Sequence, residues 1–82
     1  MIVLEFRIEA NFRAACHLLE HNGLAIDMEA AKDAWRPSQI WLFEEQITCE
    51  AKRVSLAQAR SLEKMDRIER NGHASQCLAM PQ

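Results

Sequence analysis

Between Ser38 and Asn71 the chain contains neither glycine nor proline. A segment that long without either punctuating residue has few options other than helix. Within it Ile40, Phe43, Ile47, Ala51, Val54, Ser61, Met65 and Ile68 keep to one face at about 100° per residue. Glu63 and Arg67, and Asp66 and Arg70, stand four apart in the favourable order. Glu44 and Glu45 lie near the start and Arg67 and Arg70 near the end, as the helix dipole prefers. Asn71-Gly72 supplies a stop. One helix over 38–71 is expected, about 50 Å long. A compact chain of this size has a radius of gyration of about 12 Å, so such a rod leaves part of its apolar side uncovered. A fold-back at Ser55-Leu-Ala-Gln58, which has capping-box spacing, is the alternative. No loop chemistry follows Arg53, so a rod packed against another chain is the preferred reading.

The segment before the rod is built differently. Ile2, Leu4, Phe6 and Ile8 alternate with Val3, Glu5 and Arg7, the period of a half-buried strand. Nothing else in the chain reads as a strand, so its expected partner is the same segment of a second copy or an edge on another protein. A helix follows over 10–22, with Phe12, Ala15, Cys16 and Leu19 on one face and Asn22-Gly23 as its stop. Asp27 is the expected N-cap of a second helix over 28–36, through Met28, Ala31, Ala34 and Trp35, ended by Pro37. His73 to Gln82 reads as a tail, with Cys77, Leu78 and Met80 available to dock it. The expected fold is mainly α: a short N-terminal strand, two short helices and one long amphipathic helix, in a single small helical domain over 1–72.

Size and charge narrow the function classes. The 82 residues carry a net charge of −2, and 49% are apolar, many of them alanine. A chain this short buries only about 60–65% of its unfolded surface, so its stability is thin without a partner. Charges interrupt every apolar run well before the ~18 residues of a membrane span. Glu5 and Arg7 break the opening apolar stretch, which is unlike a signal peptide. Cys16, Cys49 and Cys77 are odd in number and widely spaced, so they imply no disulfide framework. Both features point to the cytoplasm.

The sharpest chemical string is His17-Leu-Leu-Glu-His21. Two histidines four apart share a helical face, as metal ligands must. The string resembles the H-x-x-E-H signature of inverted zinc peptidases, a likeness that implies His17 and His21 as ligands and Glu20 as base. It spans five residues, and 82 residues supply neither a third ligand far downstream nor walls for a cleft. Two surface histidines beside a helix C-terminus are the simpler reading. No C-x₂-C pair accompanies them, and Cys16 and Cys49 read as small hydrophobes. The sequence therefore calls for no catalytic set, no metal and no cofactor.

Arg53, Arg60, Lys64 and Arg67 share one face of the expected long helix, opposite Ile47, Val54 and Met65. Residues 51–70 sum to +3 and residues 1–50 to −5. Such a stripe suits phosphates or an acidic protein surface, or is simply solvated. Trp35 and Trp41 flank Pro37; where exposed, they are natural interface anchors.

The order strand, helix, turn, helix over 2–36 resembles the ribbon-helix-helix family of dimeric DNA-binding proteins. The likeness rests on Phe6, Ile8, Phe12, Cys16, Leu19 and Gly23, with Asp27-Met-Glu29 opening the next helix. It implies paired strands from two copies, with Val3, Glu5 and Arg7 facing the major groove, and an antitoxin-like layout in which the last helix wraps a toxin. Glu5 at such a position repels phosphates.

The leading expectation is a non-catalytic protein-binding regulator or inhibitor, of a size that phages and mobile elements encode. It acts as a homodimer through the long helix. Ile47, Val54 and Met65 are the expected core or self-association stripe, and Trp41, Arg53, Arg60, Lys64 and Arg67 the expected partner surface. A ribbon-helix-helix regulator using Arg7 and Arg13 comes second. A small zinc-dependent hydrolase using His17, Glu20 and His21 comes third.

Overall fold

The computed structural model describes residues 1–79, with side chains to Glu69. The chain is a mixed α/β unit rather than a mainly helical one. It runs β1 (Ile2–Phe6), α1 (Glu9–His21), β2 (Asp27–Glu29), β3 (Ser38–Leu42), a 3-10 turn at Glu44–Gln46, and α2 (Glu50–Ala79). The strands form one antiparallel sheet in the order β1-β3-β2.

β1 lies where its alternation places it. Ile2, Leu4 and Phe6 point into the core and Val3 and Glu5 point out. Its partner, however, is β3 of the same chain, in the register Ile2↔Leu42, Leu4↔Ile40 and Phe6↔Ser38. β3 (Ser-Gln-Ile-Trp-Leu) carries period two as well, with Ile40 and Leu42 buried. Ile40 also fits a three-and-four spacing with Phe43 and Ile47, and short apolar runs carry both periods at once. The unpaired backbone groups of β1 decide between them, because burying that strand without a ladder costs several hydrogen bonds.

The second short helix expected over 28–36 is absent. Asp27–Glu29 instead pairs with β3 as an edge strand, and the chain then loops to Pro37. The helical stripe there has no core to face: Trp35 is 86% exposed and Met28 is exposed too. Asp33 accepts backbone N–H bonds from Trp35 (2.9 Å) and Arg36 (3.2 Å). Such local capping competes with helix formation.

α1 forms as its spacing requires, burying Phe12, Ala15, Cys16 and Leu19. It ends in a Schellman motif. Leu24 N–H donates to the Leu19 carbonyl (3.0 Å) and Gly23 N–H to that of Glu20 (3.0 Å), with Gly23 at φ 83°. Only glycine takes that conformation without strain. Buried Leu24 closes the motif against Leu19 in the core.

The rod begins at Glu50, twelve residues later than the breaker-free segment suggests, and continues to Ala79, through the Asn71-Gly72 pair read as a stop. It does not break at Ser55, whose hydroxyl donates to the Ala51 carbonyl one turn back (2.8 Å). At about 45 Å it accounts for the molecule's 48 Å longest dimension and for a radius of gyration of 14.3 Å. Cys77 and Leu78 fall within α2 but beyond the described side chains, and Met80 lies outside the described residues, as does the docking expected of them.

α2 packs on α1 and along the free edge of β1. There it substitutes carboxylates for a missing strand. Glu63 accepts the Glu5 N–H (2.8 Å), and Asp66 accepts those of Arg7 (2.9 Å) and Ile8 (3.0 Å). Asp66 also takes the Asn11 side-chain amide (3.1 Å). Ile8, the N-cap of α1, has no side-chain cap of its own. Asp66 therefore closes the sheet edge and serves the positive end of α1 at once.

Candidate functional site

Three surfaces of this fold carry exposed groups that its own packing does not use. The first is the outer part of α2. Its body-facing residues are Ser55 (2% exposed), Ala59 and Asp66 (3% exposed), flanked by half-buried Leu56 and Leu62. The larger apolar residues Val54, Met65 and Ile68 are 44%, 52% and 57% exposed. Leu56 and Leu62 turn inward as on an ordinary surface helix; Val54, Met65 and Ile68 form a second apolar stripe that the body leaves uncovered.

The sequence-derived stripe is thus divided. Val54 and Met65 share an outward face with Ile68. Ile47 lies before α2 and packs against the core, so it is separated from them.

Arg53, Arg60, Lys64 and Arg67 are all exposed on α2. At 100° per residue they follow roughly 40–100° beyond Glu63 around the helix, on the side of the β1 edge. Arg67 accordingly lines a small cavity with Glu5, Arg7, Pro37 and Asp66. Arg53 pairs with Glu50 at 2.9 Å. Arg60, Lys64 and Arg67 enter no ion pair among the described residues.

The second surface is the open face of the sheet. Val3, Trp41 and Asp27 form one row across the strands, and Glu5, Gln39 and Glu29 the next. Gln39 bridges to Glu5 (2.7 Å). Exposed Met1, Val3 and Phe43 surround half-buried Trp41, beside a hollow of about 370 Å³ that Ile26 and Gln46 also line. The Gln46 side chain pins this rim, donating to the Ala25 carbonyl and accepting its N–H, both at 2.7 Å. Trp41 and the basic face of α2 are therefore on neighbouring elements, with β1 between them.

The third surface is a groove of about 570 Å³ between α1 and the β2–β3 loop. Phe6, Phe12, Cys16 and Met28 form its apolar floor, and Arg13, His17, Glu20 and Arg36 stand on its walls. Its charges are largely committed: Arg13 pairs with Glu9 (3.3 Å), Arg36 with Glu29, and Arg7 donates to the Ala34 carbonyl (3.1 Å). Burial, and next the Glu20 carboxylate, push the Cys16 thiol above its ordinary value. Its Sγ rests 3.3 Å from the Met28 sulfur. A thiol so placed is a poor nucleophile. Both Cys16 and Cys49 are free.

Trp35 stands on the loop that walls this groove. Two hydrogen bonds to Asp33, one from Ala31 N–H to the Ser38 hydroxyl (3.0 Å) and the Arg36–Glu29 pair hold that loop. An ordered, almost bare indole is an anchor of the type that dominates interfaces.

The strand–helix order of the ribbon-helix-helix resemblance is present, but both edges of β1 are occupied, by β3 and by the carboxylates of α2. Pairing of that edge with β1 of a second copy would displace the carboxylates of α2 from the Glu5 and Arg7 N–H groups. Among the described residues no group of three His, Cys, Asp or Glu side chains is placed to hold a metal. Nor, among them, is any helix long and apolar enough to cross a membrane. The chain matches no known family model, no curated protein and no solved structure.

Proposed function

We propose that this chain is a protein-binding regulator or inhibitor without chemistry of its own, acting in the cytoplasm through α2. The observation that carries the reading is a second apolar stripe on α2: Leu56 and Leu62 pack on the body with Ser55, Ala59 and Asp66, while Val54, Met65 and Ile68 face solvent. Exposed apolar side chains arrayed along a helix mark an association surface. Self-association through Val54 and Met65 makes the chain a homodimer. Trp41 with Arg60, Lys64 and Arg67 then meets an acidic, partly apolar surface on another protein, and Arg53 contributes at the rim.

Two variants test the two halves. Val54→Glu with Met65→Glu converts the dimer to monomer in light scattering at micromolar protein, with the circular dichroism unchanged. Arg60→Glu with Lys64→Glu leaves the dimer intact and abolishes capture of the partner that wild type retrieves from the native host. A wild-type chain that is monomeric at 100-fold higher concentration sinks the first half. Capture that survives the charge reversal makes the basic face ordinary solvated surface.

A further inference from the structure

The His17-Leu-Leu-Glu-His21 string takes no part in the surfaces of α2. Both imidazoles are exposed on the last turns of α1. Their rings are nearly parallel, at 15°, with centroids 6.1 Å apart. Parallel rings one helical turn apart project the same way. Metal–nitrogen bonds of about 2.1 Å need two donor atoms about 3.4 Å apart in tetrahedral geometry, a convergence that rotation about the exposed side-chain bonds supplies. Neither ring is held in an ion pair among the described residues, so no such contact is lost when they converge.

Two further features favour a cation at this place. The C-terminal end of α1 presents the negative pole of its dipole. Glu20 lies between the histidines in sequence and lines the same groove as His17. No third His, Cys, Asp or Glu completes the set among the described residues, which leaves coordination positions for water.

We propose that His17 and His21 form a two-imidazole chelate for a borderline divalent cation of the zinc class, with Glu20 offsetting its charge. Paired imidazoles suit Zn²⁺, Ni²⁺ and Cu²⁺, while Mg²⁺ and Ca²⁺ require oxygen donors. The chelate spans one turn of one helix, so it needs neither the dimer nor the partner surface of α2.

Titration calorimetry of the untagged full-length chain with zinc chloride, in a non-chelating buffer, tests it. One zinc per chain is expected, unaffected by millimolar magnesium. His17→Ala or His21→Ala weakens binding at least tenfold. Ala14→His combined with His21→Ala moves the second imidazole to a three-residue spacing from His17 while keeping Glu20, and recovers most of that loss. All the altered side chains are exposed, so circular dichroism stays the same throughout. Zinc binding by wild type no tighter than by the His17→Ala/His21→Ala double variant overturns the proposal, as does failure of the respaced pair to recover affinity.

Discussion

The inward and outward faces of α2 both carry large apolar side chains, but only the inward ones are covered. The inward face holds Ser55, Ala59 and Asp66 buried, with Leu56 and Leu62 half-buried beside them; the outward one holds Val54, Met65 and Ile68. Close approach explains the first choice. Ala59 has no bulk to keep α2 from its neighbours, and Asp66 satisfies two backbone N–H groups and the Asn11 amide. Those groups, buried and unpaired, would each cost about 1–3 kcal/mol. Nothing among the described residues covers Val54, Met65 and Ile68, which is why the association surface is proposed there. Where a helix must finish a sheet edge and cap another helix, hydrogen-bonding demand takes part of the packed face that apolar side chains would otherwise fill.

Asp66→Ala is the most damaging way to break this contrast. It strips three donors of their acceptor and is expected to cost about 3 kcal/mol or more. A small domain has only about 5–15 kcal/mol in total, so thermal unfolding shifts by tens of degrees or the chain fails to fold. Asp66→Asn, which keeps one acceptor oxygen, separates loss of hydrogen bonds from loss of shape by destabilising less.

Ala59→Leu comes next. It forces bulk into the closest approach of α2 and costs about 1–3 kcal/mol, a fall in melting temperature of about 5–20 °C for a domain of this size. A melting temperature left unchanged would mean that α2 does not sit tightly on the body.

The smallest effect belongs to the outward face. Val54→Ser with Ile68→Gln alters folding stability by less than about 0.5 kcal/mol in monomeric protein, measured by urea denaturation at high dilution. A loss of 2 kcal/mol there would show the outward residues to be part of the monomer's core and would remove the ground for an association role.

Some of this was legible from residues alone. Ile2, Leu4 and Phe6 announce β1 because alternation has a single structural meaning when one face is buried. Phe12, Ala15, Cys16, Leu19 and Asn22-Gly23 fix both the buried face and the end of α1. Their signals are local and complete within one element. Residues 28–42 mislead for the opposite reason. Met28, Ala31, Ala34 and Trp35 have helical spacing, and Ile40 continues with Phe43 and Ile47. The backbone of β1 nonetheless needs ladder partners, and only these segments of the chain are free to supply them. Of the candidate site, the exposed basic residues of α2 follow from helix arithmetic, as does the His17–His21 pair. The bare Trp35, held by Asp33, has a cue in the sequence only in hindsight: an aspartate two residues ahead, which favours a turn.

By itself, then, the sequence determined one strand, one helix with its stop, a long rod and the separation of charge along the chain, since each follows from the spacing of neighbouring residues. Tertiary structure alone decided that residues 38–42 are a strand, that Ser55 and Asp66 are buried on the inward face of α2, and that Asp66 holds the two halves together. The reason is that a backbone N–H on β1 and a carboxylate 59 positions later become partners only once the chain has folded, and no periodicity records such a debt.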